Sequence, residues 1–292
     1  MPISELNLTD GRTLEILIGG DPTGLPWLFH AGSPSAVVEF APFDKAARDA
    51  GLRLISYSRP GYGISTPRGG VEIPRMVDDV AETTALLDAL EVDRFVTLGW
   101  SGGGPRALAC AATLAPRCLA ATSLAGPAPY DAVDWKQGMA PENVAEYSAA
   151  EQGRDAYDAF LTAEFTPLFS VTGDELVAGM GELVTDVDKV ALTPEYADWL
   201  AAQMRRAGAQ GVVGVREDGL AAVSPWGFEV SGIAVPVAIW QGAQDAMVPA
   251  HHGDWLAAHV PGARVHRFDD EGHISLVHRL PEMLAELREM AG

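Results

Sequence analysis

The stretch Leu98-Gly99-Trp100-Ser101-Gly102-Gly103-Gly104-Pro105 follows the apolar run Arg94-Phe95-Val96-Thr97 and precedes an Ala/Leu-rich segment. Inside it stands Gly-x-Ser-x-Gly. A serine between a β-run and a helical run, with glycine two residues away on each side, suits a very tight strand-to-helix turn. A side chain at Gly99 or Gly103 would collide with the returning chain, and the turn would hold Ser101 in a strained backbone conformation. The hydroxyl would then stand above a sheet at a helix N-terminus, where developing negative charge is favoured. The competing reading is a phosphate-cradling glycine turn. It lacks the Gly-x-x-x-x-Gly-Lys-Ser/Thr pattern and any nearby lysine, so the nucleophile reading is preferred.

Working outward, strands and helices alternate. Short β-like pieces cover Glu5 to Leu8 and Thr13 to Ile18, joined by the hairpin signal Asp10-Gly11. Further strands are read at Trp27 to His30, Leu52 to Tyr57, Phe95 to Leu98 and Leu119 to Leu124. Between them lie helical patterns from Val37 to Ala50, from Met76 to Leu90, and from the serine turn to Leu114. This alternation predicts a mostly parallel sheet flanked by helices, with ligands held off the carboxyl ends of its strands. After Ala125-Gly126-Pro127 it stops for about a hundred residues. Helices are read there over Glu142 to Phe165, Asp174 to Val184, Pro194 to Ala207 and Gly211 to Ala222. A strand at Val235 to Trp240, a helix at Ala250 to His259, a strand at Ala263 to Phe268 and a helix at Leu276 to Met290 close the chain. The expected division is a core of residues 1–126 and 226–292 and a helical insertion of 127–225.

A serine hydroxyl needs a base, and the base needs a third group to fix its tautomer. Among seven histidines, His266 lies within a strand, His259 and His278 within helices, and His251-His252 opens a helix. His273, in Glu271-Gly272-His273-Ile274, leaves the last strand at the same sheet edge as Ser101 and is the expected base. Asp245 closes the preceding strand at that edge and is the expected acid. Asp269 and Asp270 lie too close in sequence to reach the far ring nitrogen.

The order Ser101, Asp245, His273 resembles that of the α/β-hydrolase superfamily, over nearly the whole chain. Gly99-Trp100-Ser101-Gly102-Gly103 looks like its nucleophile elbow, and Arg59-Pro60-Gly61-Tyr62-Gly63-Ile64-Ser65 like its loop after the fourth strand. The resemblance implies a cap domain in the insertion that shapes the substrate pocket. It implies an oxyanion hole formed by the backbone N–H of Gly102 and, aligning Gly32 with the family glycine, that of Ser33. His30 is expected to brace its loop rather than catalyse, and His30 and Trp100 are carried as substrate-binding positions. The expected reaction is acyl transfer to water on a small, partly apolar ester. Lactone or carbon–carbon bond hydrolysis on the same residues, and a non-catalytic ligand-binding role, remain alternatives. Relatives acting on epoxides or haloalkanes carry aspartate where Ser101 stands.

Composition sets outer limits. The 292 residues suffice for one large α/β domain with an insertion. The net charge of −20, from 40 acidic and 20 basic residues, argues against nucleic acid or an anionic membrane as partner. Cys110 and Cys118 are the only cysteines, so a disulfide framework is not expected and a reducing compartment fits. Met1-Pro2-Ile3-Ser4-Glu5 shows no signal-peptide pattern, and no run approaches the roughly 18 apolar residues of a membrane span. A cytoplasmic monomer or homodimer acting on a small molecule, without cofactor or metal, is the expectation. The aromatics Tyr130, Trp135, Tyr157, Phe160, Phe165, Phe169 and Trp199 are expected near or in the insertion, most of them as its core.

Overall fold

Eight strands form one sheet in the order β1-β2-β4-β3-β5-β6-β7-β8 in the computed structural model, which describes residues 3–69 and 73–292. Met1 and Pro2, part of the amino-terminal stretch read above, lie outside the described residues. The strands are β1 (Ile3–Asn7), β2 (Thr13–Gly20), β3 (Leu25–His30), β4 (Leu52–Tyr57), β5 (Phe95–Trp100), β6 (Cys118–Leu124), β7 (Val237–Gly242) and β8 (Arg264–Phe268). Only β1–β2 and β2–β4 pair antiparallel; every pairing from β4 through β8 is parallel. The β1–β2 turn closes at Asp10-Gly11, where Gly11 takes φ +86° and donates to the Leu8 carbonyl at 3.1 Å.

Central strands read as unbroken apolar runs because both faces are covered. All six residues of β5 and of β7 are buried. On one face, Phe29, Leu98 and Trp240 pack with α1 (Ala41–Asp49) and α11 (Leu280–Met290). On the other, Leu28, Phe95 and Ile239 pack with α2 (Asp79–Ala89), α3 (Gly104–Thr113) and α10 (Ala250–His259). Cys110 and Cys118 are buried free thiols in this second cluster.

Between β6 and β7 run α4 (Pro141–Ala150), α5 (Arg154–Glu164), α6 (Gly173–Gly179), α7 (Asp186–Ala191), α8 (Pro194–Ala207) and α9 (Val213–Ala222). The single helix expected over 142–165 is two, because Gly153 adopts φ +97° and breaks the hydrogen-bond ladder. The helix expected from Val37 begins only at Ala41. Pro42 sits in its first turn, and the Val37 N–H is committed to the Ser58 hydroxyl at 2.9 Å. The short α7 had no counterpart in the sequence reading. A third apolar cluster joins α4, α5, α8 and α9 to the loops beyond the strand ends, grouping Tyr62 of the loop after β4 with Tyr157, Leu161 and Val215.

Candidate active site

Ser101 follows β5 directly, at φ +55°, in the left-handed region that a side-chain-bearing residue seldom occupies. The flanking glycines are what permit it. A Cβ on Gly99 would stand 2.0 Å from the Gly103 carbonyl oxygen, and one on Gly103 would stand 2.1 Å from that of His30. A one-turn 3-10 segment, Ser101–Gly103, leads into α3 and leaves the serine at a helix entrance.

His273 and Asp245 stand just past the ends of β8 and β7. The His273 Nδ1–H donates to Asp245 Oδ2 at 2.8 Å. The other carboxylate oxygen accepts from the Met247 and Val248 amides at 2.9 and 2.7 Å, so the Asp245 carboxylate is itself held in place. Burial pulls the His273 pKa down, but the charge and hydrogen bond of Asp245, assisted by Asp188, outweigh it and leave the ring above its ordinary 6.5. Ser101 and His273 line one cavity of about 690 Å³. No hydrogen bond joins the Ser101 hydroxyl to the His273 ring among the described residues, a contact that in such sites often tightens only in the complex with substrate. Trp100 lines the same cavity, with its ring 5.7 Å from the imidazole, and donates from Nε1 to the His273 carbonyl at 3.4 Å.

Gly102 and Ser33 adjoin each other. A Cβ on Gly102 would lie 3.8 Å from the Ser33 nitrogen, and Gly32 comes as near as 3.3 Å to the Ser101 Cβ by the same construction. Arg59 donates to the Ala31 and Gly32 carbonyls at 2.8 and 2.7 Å. Because the Gly32 carbonyl and the Ser33 N–H share a rigid peptide plane, anchoring one aims the other.

His30 corrects an expectation. It is absent from the cavity wall: the ring is buried, 3.7 Å from the Cys110 thiol and edge-on to Tyr57, and burial drops its pKa to about 3. The ring is a neutral imidazole whose Nε2 faces α3 and whose Nδ1 has no hydrogen-bond partner among the described residues. The remaining histidines are occupied elsewhere, His252 on the Trp135 carbonyl, His266 on Glu286 and His278 on the Ala191 carbonyl. Among the aromatics read from sequence, Phe160 and Phe165 line the cavity, whereas Trp135, Tyr157 and Trp199 are buried in the core.

Three features escaped the sequence reading. A buried ion lattice joins Arg59 to Asp218 of α9 at 2.5 Å, Asp218 to Arg106 of α3 at 2.6 Å, and Arg106 to Asp79 of α2. Burial opposes both carboxylates' charge, yet Arg106 above all keeps Asp218 and Asp79 below the ordinary aspartate value. Tyr62 ties the lattice to the site by donating to Asp218 at 2.7 Å while standing 3.0 Å from the Ser33 hydroxyl. Glu146 lines the cavity, accepts from Tyr157 at 2.7 Å, and is pushed by burial up to about 7. Asp188 of α7 is fully buried beside the His273 turn. None had a local signal: the lattice and Asp188 draw partners from distant parts of the chain, and Glu146 meets Tyr157 only through the packing of α4 on α5.

A model of the alpha/beta hydrolase fold family matches residues 26–279. A pimeloyl-[acyl-carrier protein] methyl ester esterase of Aromatoleum aromaticum is 30% identical over 247 residues, covering 82% of this chain and 87% of the relative. Among solved structures, a meta-cleavage product hydrolase of Pseudomonas fluorescens IP01 aligns at TM-score 0.70 and 16% identity, over 99% of this chain and 98% of its own. An enol-lactonase of Burkholderia xenovorans LB400 aligns at TM-score 0.65 and 19% identity, over 98% and 99%. Those two likenesses speak to the fold alone.

Proposed function

The chain belongs to the alpha/beta hydrolase fold family, and from that premise we propose that it hydrolyses a small, partly apolar carboxylic ester through an acyl-enzyme on Ser101. His273 Nε2 takes the hydroxyl proton as Oγ attacks the carbonyl carbon, and Asp245 steadies the imidazolium through the Nδ1–H. The Gly102 and Ser33 N–H groups hold the oxyanion. The carbon–oxygen bond to the leaving alcohol breaks as the alcohol takes the proton from His273. Water then repeats the cycle on the acyl-enzyme and releases the acid. The observation that carries this reading is the 2.8 Å hydrogen bond from His273 to the buried Asp245, with the His273 ring on the wall of the cavity that Ser101 also lines.

The lining favours the substrate's character. Phe160, Leu168, Met180, Leu200 and Met204 supply apolar surface, Glu142, Glu146 and Glu164 carry the acids, and no Lys or Arg is among the described lining residues. An anionic acyl group would find no counter-charge there, so a neutral ester fits better. In this reading residues 127–225 act as the cap over the site. The enzyme works as a cytoplasmic monomer or homodimer without metal, nucleic acid or membrane.

Hydrolysis of p-nitrophenyl butyrate tests the proposal. Ser101→Ala should lower kcat by about 10⁴-fold or more, because triad members act as a unit. A variant that keeps wild-type turnover contradicts it. Comparison with a lactone panel on the same protein separates ester from lactone preference, and wild-type protein that neither turns over nor reacts with a fluorophosphonate would instead be a ligand-binding member of the fold.

A further inference from the structure

A buried carboxylate is costly unless its oxygens are satisfied, and Asp188 is fully buried with its oxygens given to one short piece of chain. Oδ1 accepts from the Ile274 and Ser275 amides, both at 2.9 Å, and Oδ2 accepts from the His273 amide at 3.2 Å and the Thr185 hydroxyl at 3.4 Å. Three consecutive amides beginning with that of the base thus converge on one side chain. That side chain comes from α7, in the helical layer between β6 and β7. The preceding residue makes room: a Cβ on Gly272 would stand 2.5 Å from both carboxylate oxygens. A second strut runs in parallel, where His278 Nε2–H donates to the Ala191 carbonyl at the end of α7 at 3.0 Å.

We propose that Asp188 is a positioning residue for the His273 base, so that docking of α7 and competence of the catalytic turn are a single event. The inference rests on the triad reading above. Its physical basis is tolerance: displacing a reacting group by about 1 Å can cost about 100-fold in rate. Asp245 fixes only the ring's Nδ1, whereas Asp188 fixes the backbone from which the ring projects. The charged groups facing His273 are Asp245 from the β7 loop and Asp188 from α7, and both favour the imidazolium formed when the serine proton is taken. The helical layer would then assemble the base as well as cover the site.

The rate of fluorophosphonate modification, measured from pH 5 to 9 on folded full-length protein, separates positioning from mere stabilisation. Ser101→Ala should not react. Asp188→Ala should react about 100-fold more slowly than wild type. Asp188→Asn, which keeps one oxygen for Ile274 and Ser275 but turns an amide toward the His273 N–H, should fall between. Both Asp188 variants should shift the acid-side midpoint to lower pH, which lost stability alone would not do. If Asp188→Ala fails to fold by circular dichroism, Asp188→Asn decides. A folded Asp188→Asn with wild-type rate and midpoint overturns the inference and leaves the triad standing. A reactive Ser101→Ala, or an unreactive wild type, overturns the triad reading, and the inference falls with it.

Discussion

At Ser101 the backbone is part of the chemistry: a φ of +55° is sustained because Gly99 and Gly103 leave no Cβ in the way, and the neighbouring Gly102 N–H is thereby kept near Ser33. In the proposed mechanism the proton chemistry falls to His273. To accept the Ser101 proton the ring must be neutral, and its folded pKa lies above 6.5 because Asp245 and Asp188 outweigh burial. Activity should therefore be full on the alkaline side and decline as pH falls through that raised value, so that kcat/KM has an acid limb with its midpoint above 6.5. Asp245→Asn removes the largest upward influence and leaves burial, which acts the other way. The midpoint should move down while the plateau drops by about 10⁴-fold, as expected when the base loses its tautomer. A pH profile of p-nitrophenyl butyrate hydrolysis for the two proteins checks both shifts. Burial drops His30 to about 3, so it contributes no titration to this window.

At the scale of elements, the lattice of Arg59, Asp218, Arg106 and Asp79 joins α9 to α2, α3 and the loop after β4. The same Arg59 holds the Gly32 carbonyl and so aims the Ser33 N–H. Asp218→Ala leaves two buried guanidinium groups short of a partner and should cost about 3–5 kcal/mol in urea denaturation, with a fall in kcat larger than any change in KM because the loop that carries the proposed oxyanion donor Ser33 loosens. Unchanged stability would refute that role. Most elements were legible because their cause is local: apolar runs for covered strands, Gly-x-Ser-x-Gly for the elbow, Asp10-Gly11 for the hairpin. The strand-end positions of Asp245 and His273 were legible for the same reason, since topology carries them to one edge. What stayed hidden is set by distant partners. Asp188 meets His273 across 85 positions and Arg59 meets Asp218 across 159, and the six-residue α7 is too short to display a helical period. His30 was readable as the end of its strand, but not the direction of its ring.

For the whole molecule, the −20 net charge and the cavity point the same way. With Glu142 and Glu164 on the wall and no Lys or Arg among its described residues, an anionic ester meets like charge both on approach and when bound. The p-nitrophenyl monoester of a dicarboxylic acid should accordingly show kcat/KM at least about tenfold below that of p-nitrophenyl butyrate, with the gap narrowing in high salt. Equal values would refute this account of the cavity. Among the described residues no helix is long and apolar enough to cross a membrane. The layer of α4 to α9 connects this selectivity to the catalytic residues, since it supplies Glu146 to the wall, Asp218 to the lattice and Asp188 to the base. The central claim, that Ser101 is the nucleophile, is tested most directly by treating the folded protein with a fluorophosphonate and mapping the adduct by peptide mass spectrometry. A single stoichiometric adduct on Ser101, abolished in His273→Ala, is the expected result; an unmodified Ser101, or an adduct on another residue at equal rate, would rule Ser101 out as the nucleophile.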